Sequence, residues 1–260
     1  VRARTRAVEA LKADPAMSSL RRSLESYYGD PAREAAMDEF YARFVRPGDV
    51  VFDIGAHVGD RTGSFRRLGA RVVAVEPQRL CVRAIRRIYA GEDDIVVVEA
   101  ACGAHEGTVR LHVNSRNPTV TTASAHFLQA AHGAGGWEDE VWDATVEVAG
   151  TTLDSLISRH GTPTFVKIDV EGFEEAVLAG LSRPLPALSF EFTTIERAVA
   201  RRCVARLTAL GFEAFNIAFG DDMALAFGEW MSATELAERL RSLPHEVNSG
   251  DVYCVAPTAR

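Results

Sequence analysis

Two glycine-containing turns, each flanked by acids, hold the residues in this chain that could do chemistry. In VFDIGAHVGDRT (51–62) a β-branched run ends at Ile54, with Asp53 just before its end, and Gly55, His57 and Gly59 precede a helical stretch through Phe65 to Leu68. Glycines at such a turn let a ligand approach the backbone, and the helix begins with its amide-rich end facing the crevice at the strands' carboxyl ends. A dinucleotide fingerprint would place glycines at 55, 57 and 60, where the chain has Gly55, His57 and Asp60. Asp53 and Asp60 would also repel a pyrophosphate. A cationic ligand reverses that objection, because a carboxylate at the end of the first strand attracts an ammonium or sulfonium group. Glu76, 23 residues after Asp53, ends the next β-branched run, where an acid can accept hydrogen bonds from both ribose hydroxyls. Together these features suggest an aminoacyl-nucleoside; taken singly, DIGAHVG also reads as a tight turn and Glu76 as a solvated strand end.

The second turn is KIDVEG (167–172), which brings Asp169 and Glu171 to the carboxyl end of a later strand. The two acids can serve a ligand, or they can cap and complement the dipole of the helix expected over 173–179. Lys167 can pair with one of them or pack its stem along the strand.

The elements that must position these turns follow from hydrophobic pattern. The runs VVFDI (50–54), RVVAVE (71–76), IVVVE (95–99), TFVKID (164–169) and ALSFEF (187–192) alternate with amphipathic helical stretches. That alternation predicts an α/β domain with a mostly parallel sheet and helices on both faces. Capping-box spacings at Thr193/Glu196 and Ser232/Glu235 predict helix starts, and Ile195, Val199, Cys203, Leu207 and Leu210 form an apolar stripe ending at Gly211. Residues 33–45 place Ala36, Phe40 and Phe44 at helical spacing before the turn Arg46-Pro47-Gly48-Asp49. Residues 1–46 therefore read as an N-terminal helical extension, and 47–260 as the main domain.

The chain carries 29 basic and 36 acidic residues, a net charge of −7, which disfavours a phosphate-binding surface and so a nucleic-acid partner. No apolar run approaches the roughly 18 residues of a membrane span, and the N-terminus lacks the apolar core of a secretory signal. The expectation is a soluble, cytoplasmic protein without a membrane partner. Cys81, Cys102, Cys203 and Cys254 are scattered and predict reduced, buried thiols. Only Lys12 and Lys167 are lysines, so arginine supplies nearly all the positive charge.

In its motifs the chain resembles the S-adenosylmethionine-dependent methyltransferases, and within them the FkbM-type O-methyltransferases. The resemblance covers about residues 47–255 and rests on DVVFDIGAHVGDRT, VVAVEP (72–77), AACGAHEG (100–107), TTLDSLI (151–157), FVKIDVEGFEEAVLAG (165–180) and LSFEF (188–192). His57 stands where the wider family has the central glycine of its loop. The resemblance implies a Rossmann-like class I fold with strand order 3-2-1-4-5-7-6 and an antiparallel last strand, assigned to DVYCVA (251–256). It implies S-adenosyl-L-methionine as cofactor. Asp53, Gly55, Ala56, His57 and Gly59 would hold its methionine part, Glu76 and Pro77 its ribose side, Ala101 and Cys102 its adenine edge, with Asp169 beside it.

Methyl transfer to oxygen is an in-line displacement favoured by alignment, and an alcohol must lose its proton to a general base. The catalytic candidates are Asp169, Glu171 and His57, in that order, with Glu191 either supporting them from behind or hydrogen-bonding the substrate. The strands TVRLHV (108–113) and ATVEVAG (144–150) flank a segment of about thirty residues, long for a loop without a function. Over 107–150 this insertion reads either as a lid for the acceptor, using the hydroxyls of Thr121, Thr122 and Ser124 and the flat faces of Phe127, Trp137 and Trp142, or as an edge hairpin with its tryptophans as anchors. Its histidines show no HxH or HExxH spacing, so no metal is expected. The activity predicted is O-methylation of a small molecule or saccharide, a sugar or polyketide-type hydroxyl. A nicotinamide-dependent oxidoreductase and a non-catalytic cofactor-binding module remain the alternatives. The N-terminal aromatics Tyr27, Tyr28, Phe40 and Tyr41 would cover the acceptor pocket or form a homodimer contact.

Overall fold

The computed structural model describes residues 2–257. The β-branched runs become β1 (Val50–Ile54), β2 (Arg71–Val75), β3 (Ile95–Val98), β7 (Phe165–Ile168) and β8 (Ala187–Thr193), all parallel. The last strand, β10 (Ser249–Val255), runs antiparallel between β8 and β9 (Ala214–Phe219). The seven-stranded order is β3-β2-β1-β7-β8-β10-β9, the order implied by the family resemblance. The sequence pattern did not nominate β9, because Asn216 interrupts its apolar run. In the fold the Asn216 amide is buried and donates to the carbonyls of Phe227 and Glu229.

Helices α4 (Asp60–Arg67), α5 (Arg79–Ile88), α7 (Leu153–His160), α8 (Glu174–Ala179), α9 (Arg197–Ala209) and α10 (Ala233–Ser242) follow the strands. The α9 stripe buries Val199, Cys203 and Leu207, and Ser232 with Glu235 closes a capping box on α10. The Thr193/Glu196 box does not form: Thr193 makes no side-chain cap bond, and the Glu196 carboxylate instead meets the His126 ring. All four cysteines are free and buried, and no helix among the described residues is long and apolar enough to cross a membrane.

The N-terminal helices α1 (Arg2–Ala13), α2 (Arg21–Tyr27) and α3 (Pro31–Tyr41) are not draped over a finished core. Val8, Leu11, Met17, Leu20, Leu24 and Tyr28 pack with Ala56 and Val58 of the first-strand turn and with Cys81, Ile85 and Ile88 of α5. Tyr28 Oη donates to the Val58 carbonyl at 2.8 Å, tying the segment to that turn. The helix expected over 33–45 starts earlier, at Pro31 after the Asp30 cap, and ends at Tyr41. Its buried face is Met37, Phe40 and Tyr41, while Ala36 faces solvent, since a shift of one residue along a helix turns the face by about 100°.

The insertion forms a second sheet of β4 (Ala101–Cys102), β6 (Ala144–Thr151) and β5 (Gly107–Val113), in the order β4-β6-β5. Between β5 and β6 lie a 3₁₀ turn at 118–120 and α6 (Ala125–Ala131), so the segment is at once a hairpin and a cover. It is clasped to the main sheet by His126–Glu196, by Trp137 Nε1 donating to Asn248 Oδ1 at 3.2 Å, and by Thr122 Oγ1 donating to the Glu171 carbonyl at 2.6 Å.

Leu24 is fully buried in the N-terminal part of this core. Leu24→Ala should lower unfolding free energy by about 2–5 kcal/mol, as large-to-small core changes do. Denaturant unfolding should shift as one transition; a separate early step confined to the N-terminal helices would show that they dock as an independent flap.

Candidate active site

The carboxyl ends of β3, β2, β1 and β7 open side by side into a cavity with about 860 Å³ of empty space, its mouth included. Its wall includes Asp53, Gly55, Ala56, His57, Glu76, Pro77, Ala101, Cys102, Asp169 and Glu171, so most of the residues nominated from the sequence converge.

The turn after β1 is built on backbone that side chains resist. Gly55 has φ +81°, and a Cβ there would lie 1.7 Å from the Asp169 carbonyl oxygen, so glycine lets the β1 and β7 turns touch. His57 is itself left-handed, at φ +48°, and its amide donates to Glu76 Oε2 at 2.9 Å. Glu76 Oε1 accepts from the Gln78 amide at 2.8 Å, so the acid is braced on two sides at the end of β2. Burial pushes its carboxyl up to about 7, against those two amides. Asp53 accepts from the Thr62 hydroxyl, and burial raises its carboxyl to about 6. Two buried, proton-hungry carboxylates in one cavity suit a ligand that brings a cation and hydroxyl donors.

The His57 ring lies between Cys81 Sγ and Thr119 Oγ1, each 3.5 Å from a ring nitrogen. Burial lowers its pKa to about 4 despite Asp60 and Asp169 nearby, so the ring is neutral at physiological pH. Asp60, counted from the sequence as a bare negative charge, is matched by Arg33 and Arg61, which hold it ionised against the cost of its burial. Its charge is therefore no argument against an anionic ligand.

Around β7 the charges interlock. The Lys167 ammonium, buried on the strand, lies 2.7 Å from Asp251 Oδ1 and 3.1 Å from Asp169 Oδ2. Burial works to raise the Asp169 carboxyl, but Lys167 and then Arg61 hold it below its ordinary range. Glu171 and Glu191 are raised well above theirs, first by burial and then by the Asp169 charge. The three carboxylates lie within 4.8 Å of one another, and Glu191 Oε2 is buried without a partner. They are the donor type of an oxygen-ligating cation site, but Lys167 already supplies a cation to one of them. Helix α8 has no side-chain cap bond; Glu174 instead braces the turn before it, its Oε1 accepting from the amides of Val170 and Gly172 at 3.2 Å.

Several nominated residues do not line the cavity. Gly59 turns away, its carbonyl accepting from Tyr89 Oη at 2.6 Å. Thr122 buttresses the Glu171 backbone from behind, Ser124 caps α6, and Trp137 packs on Phe127. Glu191 lies behind Asp169, in a separate small pocket. In their place the cavity takes Tyr27 and Thr121, which the sequence reading had set among the aromatics and hydroxyls that could face an acceptor, and Arg61, Thr119 and Phe173, which it missed as site residues. Arg61 lies inside the first motif and the threonines beside Thr122, so the motif and the insertion were the available signals; nothing local marked which neighbours face inward.

Residues 53–213 match the Methyltransferase FkbM domain, a span of more than half the chain. Over 173 residues the chain is 30% identical to the 31-O-demethyl-FK506 methyltransferase FkbM of Streptomyces tacrolimicus. That match covers 57% of this chain and 66% of the relative, just under two thirds of its length. Among solved structures, an O-methyltransferase from Bacillus cereus in complex with SAH aligns at TM-score 0.47 and 13% identity, over 96% of this chain and 90% of that one. A TehB-like SAM-dependent methyltransferase from Corynebacterium glutamicum aligns at TM-score 0.45 and 11% identity, over 90% and 93%. With both sequence motifs meeting in one acid-lined cavity and the domain match running through them, the chain belongs to the FkbM family of S-adenosylmethionine-dependent methyltransferases.

Proposed function

We propose that this protein transfers a methyl group to a hydroxyl of a small molecule, with a sugar or polyketide-type alcohol as the acceptor class. The observation that carries the reading is Glu171: a carboxyl raised well above its ordinary range, on the wall of the cavity, beside an ion-paired Asp169. A base that must take a proton from an alcohol works best when its pKa lies near the working pH. Asp169 is held too acidic by Lys167, and His57 too weak by burial, so Glu171 moves to the head of the three candidates. The name of the FkbM relative supports oxygen as the accepting atom.

The residues fit the cofactor by their chemistry. Asp53 would hold the ammonium and Glu76 the ribose hydroxyls, with Ala101 and Cys102 along the adenine edge. When bound, S-adenosylmethionine supplies an electrophilic methyl group on sulfur. The chain's part is to align the acceptor, exclude water and receive the proton, for which Thr119, Thr121 and Phe173 offer two hydroxyls and an apolar face on the cavity wall. The Thr121 hydroxyl is buried without a partner, as a donor to an acceptor's oxygen would be.

Three outcomes test this reading. Labelled methyl from S-adenosylmethionine, offered with metabolite fractions of the source cell, should be recovered in a methyl ether; recovery only in N- or C-methyl products would exclude oxygen transfer. Glu171→Gln should cut kcat by at least about 100-fold, the lower bound for general-base catalysis, with S-adenosylhomocysteine affinity nearly unchanged. Affinity for S-adenosylhomocysteine should also depend on pH. Asp53 and Glu76 carry raised pKa values of about 6 and about 7 in the free protein, so below those values a proton must leave before the cationic ligand binds. Calorimetry should therefore show affinity falling as pH drops from about 8 to 5, and Asp53→Asn should remove the lower step while weakening binding by about 10–100-fold.

A further inference from the structure

Two charged cations line the cavity, Lys167 and Arg61, since His57 is neutral. Lys167 is already engaged by Asp169 and Asp251. Arg61 differs. Its Nη1 donates to Asp60 Oδ2 and its Nη2 to Asp221 Oδ1, both at 2.7 Å, but its Nε is shielded from solvent and has no partner. A buried N–H without an acceptor is destabilising, the more so on a charged group. The two acids on Arg61 are offset by Arg33, which reaches Asp60 at 3.2 Å and Asp221 at 3.9 Å, so an approaching anion meets a balanced cluster.

The sheet order sets where Arg61 stands along a bound ligand. Across the crevice the strand ends run from β3, followed by Ala101, to Glu76 after β2, then Asp53 and Gly55 on β1, with α4 opening directly from the β1 turn. A nucleoside held at Ala101 and Glu76 therefore directs its amino-acid tail toward the start of α4. Asp53 answers the ammonium of that tail. Its carboxylate needs a donor, and Arg61 is the residue of the first α4 turn that has one to give.

We propose that Arg61 binds the α-carboxylate of the cofactor's methionine part through its free Nε, held in place by Asp60, Asp221 and the Tyr27 ring. Tyr27 lies 5.9 Å from the Arg61 guanidinium and 5.1 Å from that of Arg33, so the N-terminal helices help to hold this anchor. The assignment rests on the cofactor reading above and adds to it a residue that the cofactor motifs did not nominate.

The test compares two ligands by calorimetry: S-adenosylhomocysteine, and S-adenosyl-3-thiopropylamine, which keeps the nucleoside, thioether and amine but lacks the carboxylate. The unaltered protein should prefer the first by about 10–100-fold, the range of a charge-assisted hydrogen bond. Arg61→Gln should abolish that preference while binding the decarboxylated ligand as the unaltered protein does. Arg61→Lys, which keeps the charge on Asp60 and loses the planar fork, should retain part of the preference, and it serves if the glutamine variant does not fold. An equal loss for both ligands, or an unchanged preference, overturns the assignment and leaves the cofactor reading standing. Binding of neither ligand by the unaltered protein removes both.

Discussion

The buried ammonium of Lys167 is the charge on which the crevice is organised. Six carboxyl groups gather where β1, β7, β8 and β10 meet the turns: Asp53, Asp169, Glu171, Glu174, Glu191 and Asp251. Ionising all of them in a dry site would be ruinous, because like charges at short range and low dielectric repel by several kcal/mol. Lys167 settles which acid is ionised. It fixes Asp169 as an anion, and that fixed charge, together with burial, raises the proton affinity of Glu171 and Glu191. Neighbouring carboxyls thus acquire different proton affinities, the arrangement from which acid and base roles are made.

The walls of the crevice depend on distant parts of the chain closing on it. From one side the N-terminal helices bring Tyr28 to the Val58 carbonyl and Tyr27 to the edge of the His57 ring, with centroids 6.2 Å apart. From the other, the insertion presses Phe127 and the Glu196 carboxylate against Gly172, where a Cβ would meet Glu196 Oε2 at 2.5 Å and Phe127 Cδ2 at 2.6 Å. Glycine at 172 therefore lets the cover reach the very turn that carries Asp169 and Glu171. Methyl transfer gains from this enclosure, since excluding water strengthens each fixed charge around the reacting atoms.

Strands were the most legible part of the sequence. A parallel strand buried on both faces must be a continuous β-branched run, and VVFDI, RVVAV and IVVV are such runs. Helix ends were less legible. Ser232 and Glu235 formed the capping box that their spacing allows, whereas Glu196 found a stronger partner in His126, seventy residues away in the chain. Of the stripe over 33–45, Phe40 is buried and Phe44 stacks on Phe165, whereas Ala36 is apolar in type yet small enough to be left in water.

The sequence by itself determined the acid-lined crevice. Gly55, His57, Glu76, Asp169 and Glu171 lie at strand ends, and the hydrogen-bond ladder of a parallel sheet brings strand ends together whatever the rest of the chain does. Only the tertiary structure decided which side chains complete the cavity and which acids are charged. Tyr27, Arg61 and Thr121 enter the wall, and Gly59, Ser124 and Trp137 leave it, through packing between segments far apart in sequence. The raised proton affinity of Glu171 likewise rests on burial and on the Asp169 charge, which Lys167 holds ionised while it also pairs Asp251 across 84 residues. Local pattern encodes direction along a strand or helix; burial and electrostatic pairing are properties of the assembled fold.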